Sequence, residues 1–421
     1  MEQSAKTKER FSETNESFTM LEAINEAKRC LHCKVPQCSK GCPISQDIPD
    51  WIHELSMGNL GNAMHIINGK SNLPAVCGRV CPHERQCEGH CVLGKKERPV
   101  AIGKLERFVA DFDGDMQLIR ERLPQKTRGR VAVIGSGPAG LAVAGDLARK
   151  GFAVEVFEME PEPGGVLMFG IPEYRLPKEV VRREIRKIEE LGVVFRCNTT
   201  IGQDLTVDQM FDRGFDLRGV RQAIYFLRRV SLYNEGNLDR NEVPVGNGDR
   251  VFVIGCGNTA MDAARSAVRL GAEKVTVVYH RTINDMSALR SEYDEAVSEG
   301  VEFEWQSSIV DIHDDAGDIT DVVIECNGER HEEDADVVIM AVGSQPASRI
   351  VSTTEGIDVD DRGYVLTRDM PYGMTTRKGV FAGGDVVNRP STVVLAMSDA
   401  KKVAEGIAQY VDAIKLLEAI S

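Results

Sequence analysis

No run in the sequence approaches the 18 consecutive apolar residues of a membrane-spanning helix, and the polar opening MEQSAKTKERFSETNES lacks the apolar stretch of a secretory signal. These absences point to a soluble, cytoplasmic protein. Positive charge is also short. The 51 Lys and Arg residues face 65 Asp and Glu, a net charge of −14, which is the wrong sign for neutralising a nucleic-acid backbone. Low-complexity tracts are missing, and 42% hydrophobic with 28% charged residues is an ordinary globular balance. At roughly 150 residues per domain, a chain of 421 residues suggests two to four domains. Cysteine is sparse almost everywhere. Cys197, Cys256 and Cys326 are isolated and read as core residues, while the other eight of the eleven fall between Cys30 and Cys91.

A thiol cluster in a reducing compartment points to metal rather than disulfides. Its first group is Cys30-x2-Cys33-x4-Cys38-x3-Cys42-Pro43, and its second is Cys77-x3-Cys81-Pro82-x4-Cys87-x3-Cys91. Short spacings bring several thiolates to one small inorganic core. Cys followed by Pro matches the ferredoxin run, whose fourth Cys reaches across to the other cluster. Structural zinc is the alternative, since four thiolates also satisfy a tetrahedral ion. A redox-dinucleotide region in the same chain favours iron–sulfur.

Residues 1–127 carry this block, with helical patterning around Asp50–Asn68 and Ile102–Arg122. The segment Leu123–Arg130 reads as a linker. Short β-branched runs then alternate with helical stretches: Val131–Ile134, Val154–Phe157, Val251–Ile254, Val275–Tyr279 and Val337–Val342, the texture of a parallel α/β sheet. An internal repeat runs through this part. Val131-Ala-Val-Ile-Gly-Ser-Gly-Pro-Ala-Gly140 returns as Val251-Phe-Val-Ile-Gly-Cys-Gly-Asn-Thr-Ala260, which predicts two dinucleotide sites facing each other.

In the first unit, Gly135 permits the tight turn, Gly137 lets the backbone approach a pyrophosphate, and Gly140 allows close helix–strand packing. The helix start around Ala139 supplies amides and a positive dipole end. Glu158, closing the next strand, is placed to bond a ribose diol. The second unit, Gly255, Gly257, Asn258, Thr259 and Ala260, is followed by a strand that runs into His280-Arg281 instead of an acid. A carboxylate there would repel a 2′-phosphate and Arg281 would pair with it, which favours NADPH over NADH. Near the end of the chain, Val380-Phe-Ala-Gly-Gly-Asp385 reads as a short strand whose Asp385 could bond the ribityl chain of a flavin.

Together these residues resemble the small (beta) chain of NADPH-dependent glutamate synthase and its relatives, the large subunit of the electron-bifurcating NADH-dependent ferredoxin:NADP oxidoreductase and the N-terminal part of dihydropyrimidine dehydrogenase. The resemblance runs from about Phe11 to the C-terminus and is specific in Arg29–Lys34, Leu73–Pro82, Ile102–Phe108, Gly164–Pro172 and Gly255–Asp262. It implies an α+β multidomain chain: an N-terminal helical iron–sulfur domain (1–127), an FAD-binding Rossmann-like domain (128–216 with 375–421) and an NADPH-binding one (217–374). It implies two [4Fe-4S] clusters, one held by Cys30, Cys33, Cys38 and Cys91, the other by Cys42, Cys81, Cys87 and Glu106, with Cys77 a bystander. It also implies FAD on the Gly135 turn with Glu158, Gly165, Gly384 and Asp385, and NADPH on the Gly255 turn with His280 and Arg281. The cofactors carry the chemistry, so no catalytic acid–base residue is expected.

One feature departs from the family. Asp336-Val-Val-Ile-Met-Ala-Val-Gly343, followed by Gln345-Pro346, should have a counterpart in the FAD half, but Gly214-Phe-Asp216 passes directly into Leu217-Arg-Gly-Val220. One interior strand of the FAD domain is missing from the sequence, and loss of an interior strand would compromise flavin binding or folding unless another segment fills the slot.

The resulting expectation is an NADPH-oxidising electron-input subunit, NADPH to FAD to [4Fe-4S], of a complex making L-glutamate from L-glutamine and 2-oxoglutarate. The chain has no convincing amidotransferase nucleophile and no room for a synthase barrel, so a large FMN/iron–sulfur synthase chain is the expected partner. The rival readings are a bifurcating oxidoreductase subunit with a ferredoxin-linked flavoprotein partner, and a defective non-enzymatic remnant.

Overall fold

The structure is a computed structural model that describes residues 11–14, 16–117, 121, 125–204, 225–236, 238–240, 243–315, 318–326, 328–341, 350–351, 354–388 and 392–420. Its N-terminal part is helical: α1 (Met20–Ala27), α2 (Gln37–Gly41), α3 (Ile48–Ser56), α4 (Leu60–Asn68), α5 (Pro74–Val80) and α6 (Ile102–Met116). The single patterned stretch Asp50–Asn68 is thus two helices, separated at Gly58, whose φ of +82° ends the first. Trp51, Ile52, Leu55, Met64 and Ile67 fill the core between them.

The flavin half begins with strand β1 (Arg130–Ile134), helix α7 (Pro138–Arg149), strand β2 (Ala153–Phe157), helices α8 (Val166–Phe169) and α9 (Lys178–Glu190), and strand β3 (Val194–Arg196). Among the described residues its parallel sheet has the order β1-β2-β3. Four of the five residues of β1 are buried, at about 1.5–3 kcal/mol for each branched aliphatic side chain removed from water.

The nucleotide repeat continues with α10 (Tyr225–Asn234), β4 (Arg250–Ile254), α11 (Asn258–Leu270), β5 (Lys274–Tyr279), α12 (Arg290–Ser298) and β6 (Glu302–Trp305). An antiparallel sheet of β7 (Ser307–Asp315), β8 (Asp318–Cys326) and β9 (Glu329–Asp334) precedes β10 (Val337–Met340). Among the described residues the parallel sheet here has four strands, β10-β4-β5-β6, with Val337 opposite Val251 and Met340 opposite Ile254. The antiparallel sheet was not foreseen. The chain closes with β11 (Thr367–Asp369), β12 (Tyr372–Thr375) and the long helix α13 (Val393–Ile420). No described helix is long and apolar enough to cross a membrane.

The chain divides into two compact units. One contains the described residues between 225 and 341 with residues 11–13 and Phe169–Tyr174. Tyr174 explains the last piece, since its ring lies 4.7 Å from the Arg265 guanidinium and 3.8 Å from that of Arg269. The other unit joins the cysteine block, the flavin half and everything from Gln345 onward. In this unit β12 packs on α13: Tyr372 donates its hydroxyl to Asp399 Oδ1 at 2.6 Å. The cysteine block also contacts the flavin half. Lys401 on α13 pairs with Asp146 on α7 at 3.0 Å, and Asn72 donates to Asp146 at 2.8 Å.

Val380–Ala382 is not a strand; only Phe381 forms a bridge, to Met374, before a 3-10 turn at Gly384–Val386. The segment Gly214–Val220, on which the lost strand rests, lies outside the described residues, as do Gly343, Gln345 and Pro346.

Candidate functional site

The thiols sort into two sets that cross the sequence order. Burial pushes up the thiols of Cys30 and Cys38, the latter to about 11; Cys33 and Cys91 add to the effect at Cys30, and Cys30 and Cys91 at Cys38. Cys91 thus joins the first group across some sixty residues. A buried carboxylate makes this pairing. Glu26, 5% exposed, accepts from Arg29 at 2.7 Å, from Arg98 at 2.6 Å and from the Ala101 amide at 2.9 Å. Arg29 in turn donates to the Arg98 and Pro99 carbonyls at 2.7 and 3.1 Å. This hub fastens the end of α1 to the start of α6, with Cys30 and Cys91 alongside.

The second set gathers around Glu106. Burial pushes the Cys42 thiol up to about 11, with Glu106 and Cys77 adding to it. Cys87 is raised by burial and then by Glu106. A hydrogen bond with Cys77, then burial, raises Cys81, with Glu106 and Cys87 further contributing. Burial, with Glu184 nearby, pushes Glu106 itself up to about 8. Cys77 is near this set, yet its sulfur packs between the Ser71 hydroxyl at 3.9 Å and the Met397 sulfur at 3.8 Å.

These positions fit an inorganic cluster better than zinc. A tetrahedral zinc with sulfur at about 2.3 Å sets its thiolates about 3.8 Å apart. Among the described residues, the group of three metal-ligating side chains within 4.8 Å of one another is Glu304, His331 and Glu333, not any three thiols, and Lys274 pairs with that Glu333 at 2.8 Å. The wider thiol sets leave room for a larger core. A positively charged core also reverses the penalty that keeps these buried groups protonated.

Glu184 on α9 was not foreseen. It is fully buried and accepts from the Ala75 amide at the start of α5 at 3.0 Å. Lys187, 3.4 Å away, links it to Asp113 on α6 at 3.0 Å. Replacing Glu184→Ala is expected to cost about 1–3 kcal/mol by leaving the buried Ala75 amide without its partner, while Lys187 keeps Asp113. A lowered melting temperature together with reduced iron content after anaerobic purification would be the readout.

The first nucleotide turn is shaped as its residues predict. Gly135 has φ of +86°. A Cβ on Gly137 would meet nothing within 4 Å, so the space beside it is open to a phosphate, whereas a Cβ on Gly140 would strike the Gly135 carbonyl. Gly165 abuts the Gly137 Cα, and Gly384 abuts the Ala139 side chain. Glu158, 4% exposed, accepts from the Ser136 amide at 2.9 Å, the Ser136 hydroxyl at 2.5 Å and the Glu160 amide at 2.9 Å. The Ser136 oxygen also accepts from Gly164 at 2.8 Å. An aligned carboxylate with a lone pair to spare and an open cradle fit a flavin nucleotide. Asp385 sits in the adjoining 3-10 turn.

The second turn differs where the sequence differs. Cys256 replaces Ser136, its carbonyl accepting from Ser287 and Ala288 at 3.2 and 3.1 Å. Asn258 Oδ1 accepts from the Leu289 amide at 2.9 Å, which closes a loop over the turn beside Thr259 and Ala260. Exposed His280 takes the position after β5 that buried Glu158 takes after β2, and exposed Arg281 follows it. A Cβ on Gly257 would meet just the Ser287 hydroxyl, at 3.3 Å.

Helix α13 connects the flavin half to the second thiol set. Asp399 accepts from the Gly384 amide at 2.6 Å, Ser398 donates to the Pro43 carbonyl at 2.8 Å beside Cys42, and Met397 touches Cys77.

Fold and site define a flavin-dependent pyridine-nucleotide oxidoreductase with an iron–sulfur module built in. Profiles agree: residues 6–118 match the dihydropyrimidine dehydrogenase domain II, 4Fe-4S cluster, 133–181 an NAD(P)-binding Rossmann-like domain, and 210–400 a pyridine nucleotide-disulphide oxidoreductase. FAD, NADPH and iron–sulfur clusters fit these domains. The chain belongs to the family of the glutamate synthase [NADPH] small chain. It is 35% identical to that chain of Halomonas elongata, over 96% of its own length and 93% of the relative's. It is 32% identical to the NAD-dependent dihydropyrimidine dehydrogenase subunit PreT of Escherichia coli, over 95% and 97%. The thioredoxin reductase of T. acidophilum shares the fold at a TM-score of 0.52, with 20% identity over 68% of this chain and 98% of that one. The Halomonas alignment runs over 446 positions, so the relative carries about forty that this chain skips.

Proposed function

We propose that the chain is an NADPH-oxidising electron-input subunit. NADPH is held on the Gly255 turn with His280 and Arg281, and FAD on the Gly135 turn with Glu158, Gly165, Gly384 and Asp385. One [4Fe-4S] cluster takes Cys30, Cys33, Cys38 and Cys91, and another takes Cys42, Cys81, Cys87 and Glu106. A single observation carries the reading. Three consecutive residues of α13 touch the flavin-side Gly384, the Cys42 loop and Cys77, so the two redox sites share one rigid element.

When bound, these cofactors accept a hydride from a nicotinamide and release electrons singly. The protein's part is position. Ser136 holds Glu158 for a ribose, the open side of Gly137 admits a pyrophosphate, and the mostly half-buried thiols would hold the clusters. The relatives named glutamate synthase small chain support a large FMN/iron–sulfur synthase chain as partner, with L-glutamate made from L-glutamine and 2-oxoglutarate. Anaerobic titration tests the electron-input step: NADPH should bleach flavin and cluster absorbance. Glutamate formation on adding a large synthase chain tests the complex, and ferredoxin reduction with NADH would favour a bifurcating partner instead.

Cofactor choice rests on Arg281. A charge-assisted bond to a 2′-phosphate contributes about 1.5–3 kcal/mol, so Arg281→Ala is expected to raise KM for NADPH roughly 10- to 100-fold and leave that for NADH nearly unchanged. Steady-state diaphorase kinetics with both nucleotides would show it; an equal effect on both would reassign Arg281 to the surface.

A further inference from the structure

The surface around the first thiol set differs from the rest of the molecule. Segments 28–41 and 84–98 hold eight Lys and Arg against three acids, in a chain whose net charge is −14. The two segments lie side by side: Arg29 donates to the Arg98 and Pro99 carbonyls, and Gly41 backs onto the His90 imidazole. Lys28, Lys34, Lys40, Lys95 and Lys96 are all exposed. Among them stand three apolar side chains next to thiols of that set: Leu31 at 58% exposure, Val35 at 57% and Val92 at 38%. An apolar centre with a charged rim is the anatomy of a protein interface.

The other thiol set is the one tied to the flavin half through Pro43 and Ser398. The first set therefore lies on the outward side of the electron route, and this step rests on the proposed function. We propose that Leu31, Val35 and Val92, ringed by Lys28, Lys34, Lys95 and Lys96, form the docking surface for a redox protein whose contact face is apolar at its centre and acidic at its rim. Each NADPH oxidised to NADP+ and a proton supplies two electrons, and two partner molecules take one each. The basic rim steers an acidic partner and the apolar centre brings it close to the first thiol set. Steering of this kind weakens as salt shortens the range of the charges.

The test uses the full chain, purified anaerobically, and an acidic plant-type [2Fe-2S] ferredoxin as probe. Wild type should bind it with an affinity that falls steeply between low and high salt, and carbodiimide should link ferredoxin carboxylates to lysines of this rim. The triple charge reversal Lys28→Glu, Lys95→Glu, Lys96→Glu should lose at least tenfold in affinity at low salt and flatten the salt dependence. Leu31→Ser should weaken binding at every salt concentration and leave the slope intact. In both variants, bleaching of the chain's own absorbance by NADPH should be unchanged. No binding by wild type, full binding by the triple variant, or crosslinks elsewhere would each overturn the docking surface. Intact ferredoxin binding without bleaching by NADPH would instead overturn the electron-input reading.

Discussion

The variant Cys91→Ser is expected to lose half of the iron and acid-labile sulfide carried by the wild-type chain. Cys91 lies beside Cys87 in sequence, but in the folded chain it stands with Cys30 and Cys38. If spacing alone decided ligation, losing Cys91 would disturb the group Cys81, Cys87 and Glu106. With the crossed grouping, that set keeps its four ligands and the other loses one. Cys77→Ser supplies the contrast. Its sulfur packs against Ser71 and Met397 as well as beside Cys81, and as a bystander its replacement should leave iron content full and lower the melting temperature slightly. Iron and sulfide assays with low-temperature electron paramagnetic resonance of the reduced proteins would separate the outcomes. Full iron in Cys91→Ser, or half loss in Cys77→Ser, would contradict the grouping.

Much of this arrangement could be read from residue spacing because the chemistry is local. A glycine turn declares itself within six residues, and strands β1, β2, β4, β5 and β10 all begin within one residue of their expected starts. Thiol grouping is implied by the resemblance; in the structure Cys91 neighbours Cys30 and Cys38, and Glu106 neighbours Cys42, Cys81 and Cys87. What spacing could not show depends on partners far apart in sequence. Glu26 looks like any acid of an amphipathic helix until Arg98 and Ala101 arrive beside it. Glu184 lies in the charge-rich stretch Arg182-Arg-Glu-Ile-Arg-Lys187, yet it is fully buried against Ala75. The double contact of α13 has no local mark, since Met397, Ser398 and Asp399 acquire meaning through Cys77, Pro43 and Gly384. The antiparallel sheet left one weak signal, the turn at Gly328 with φ of +86° between β8 and β9, in a stretch too rich in acids to suggest paired strands.

Flavin is expected to be the cofactor this chain holds least firmly. In the nucleotide repeat, Asp336 opens β10, which pairs along the whole of its length with β4 and carries the sheet past the glycine turn. Asp216 stands at the same distance from Gly135 as Asp336 does from Gly255, but Leu217-Arg-Gly-Val220 follows it in place of Val337-Val-Ile-Met340. The Halomonas elongata relative carries about forty aligned positions that this chain skips, enough for a strand and its loop. The residues proposed for the nucleotide end, Ser136, Gly137 and Glu158, keep their geometry, so binding should be weakened rather than abolished: an adenine and ribose would keep these partners, while among the described residues no strand pairs with the open edge of β1. Gel filtration should strip flavin from the wild-type chain while iron stays bound. Inserting the strand and loop of the Halomonas elongata relative between Asp216 and Leu217 should tighten FAD at least tenfold and raise the melting temperature. If the unaltered chain elutes with one flavin per molecule and gains nothing from the insertion, another segment already completes the sheet and the deletion is silent.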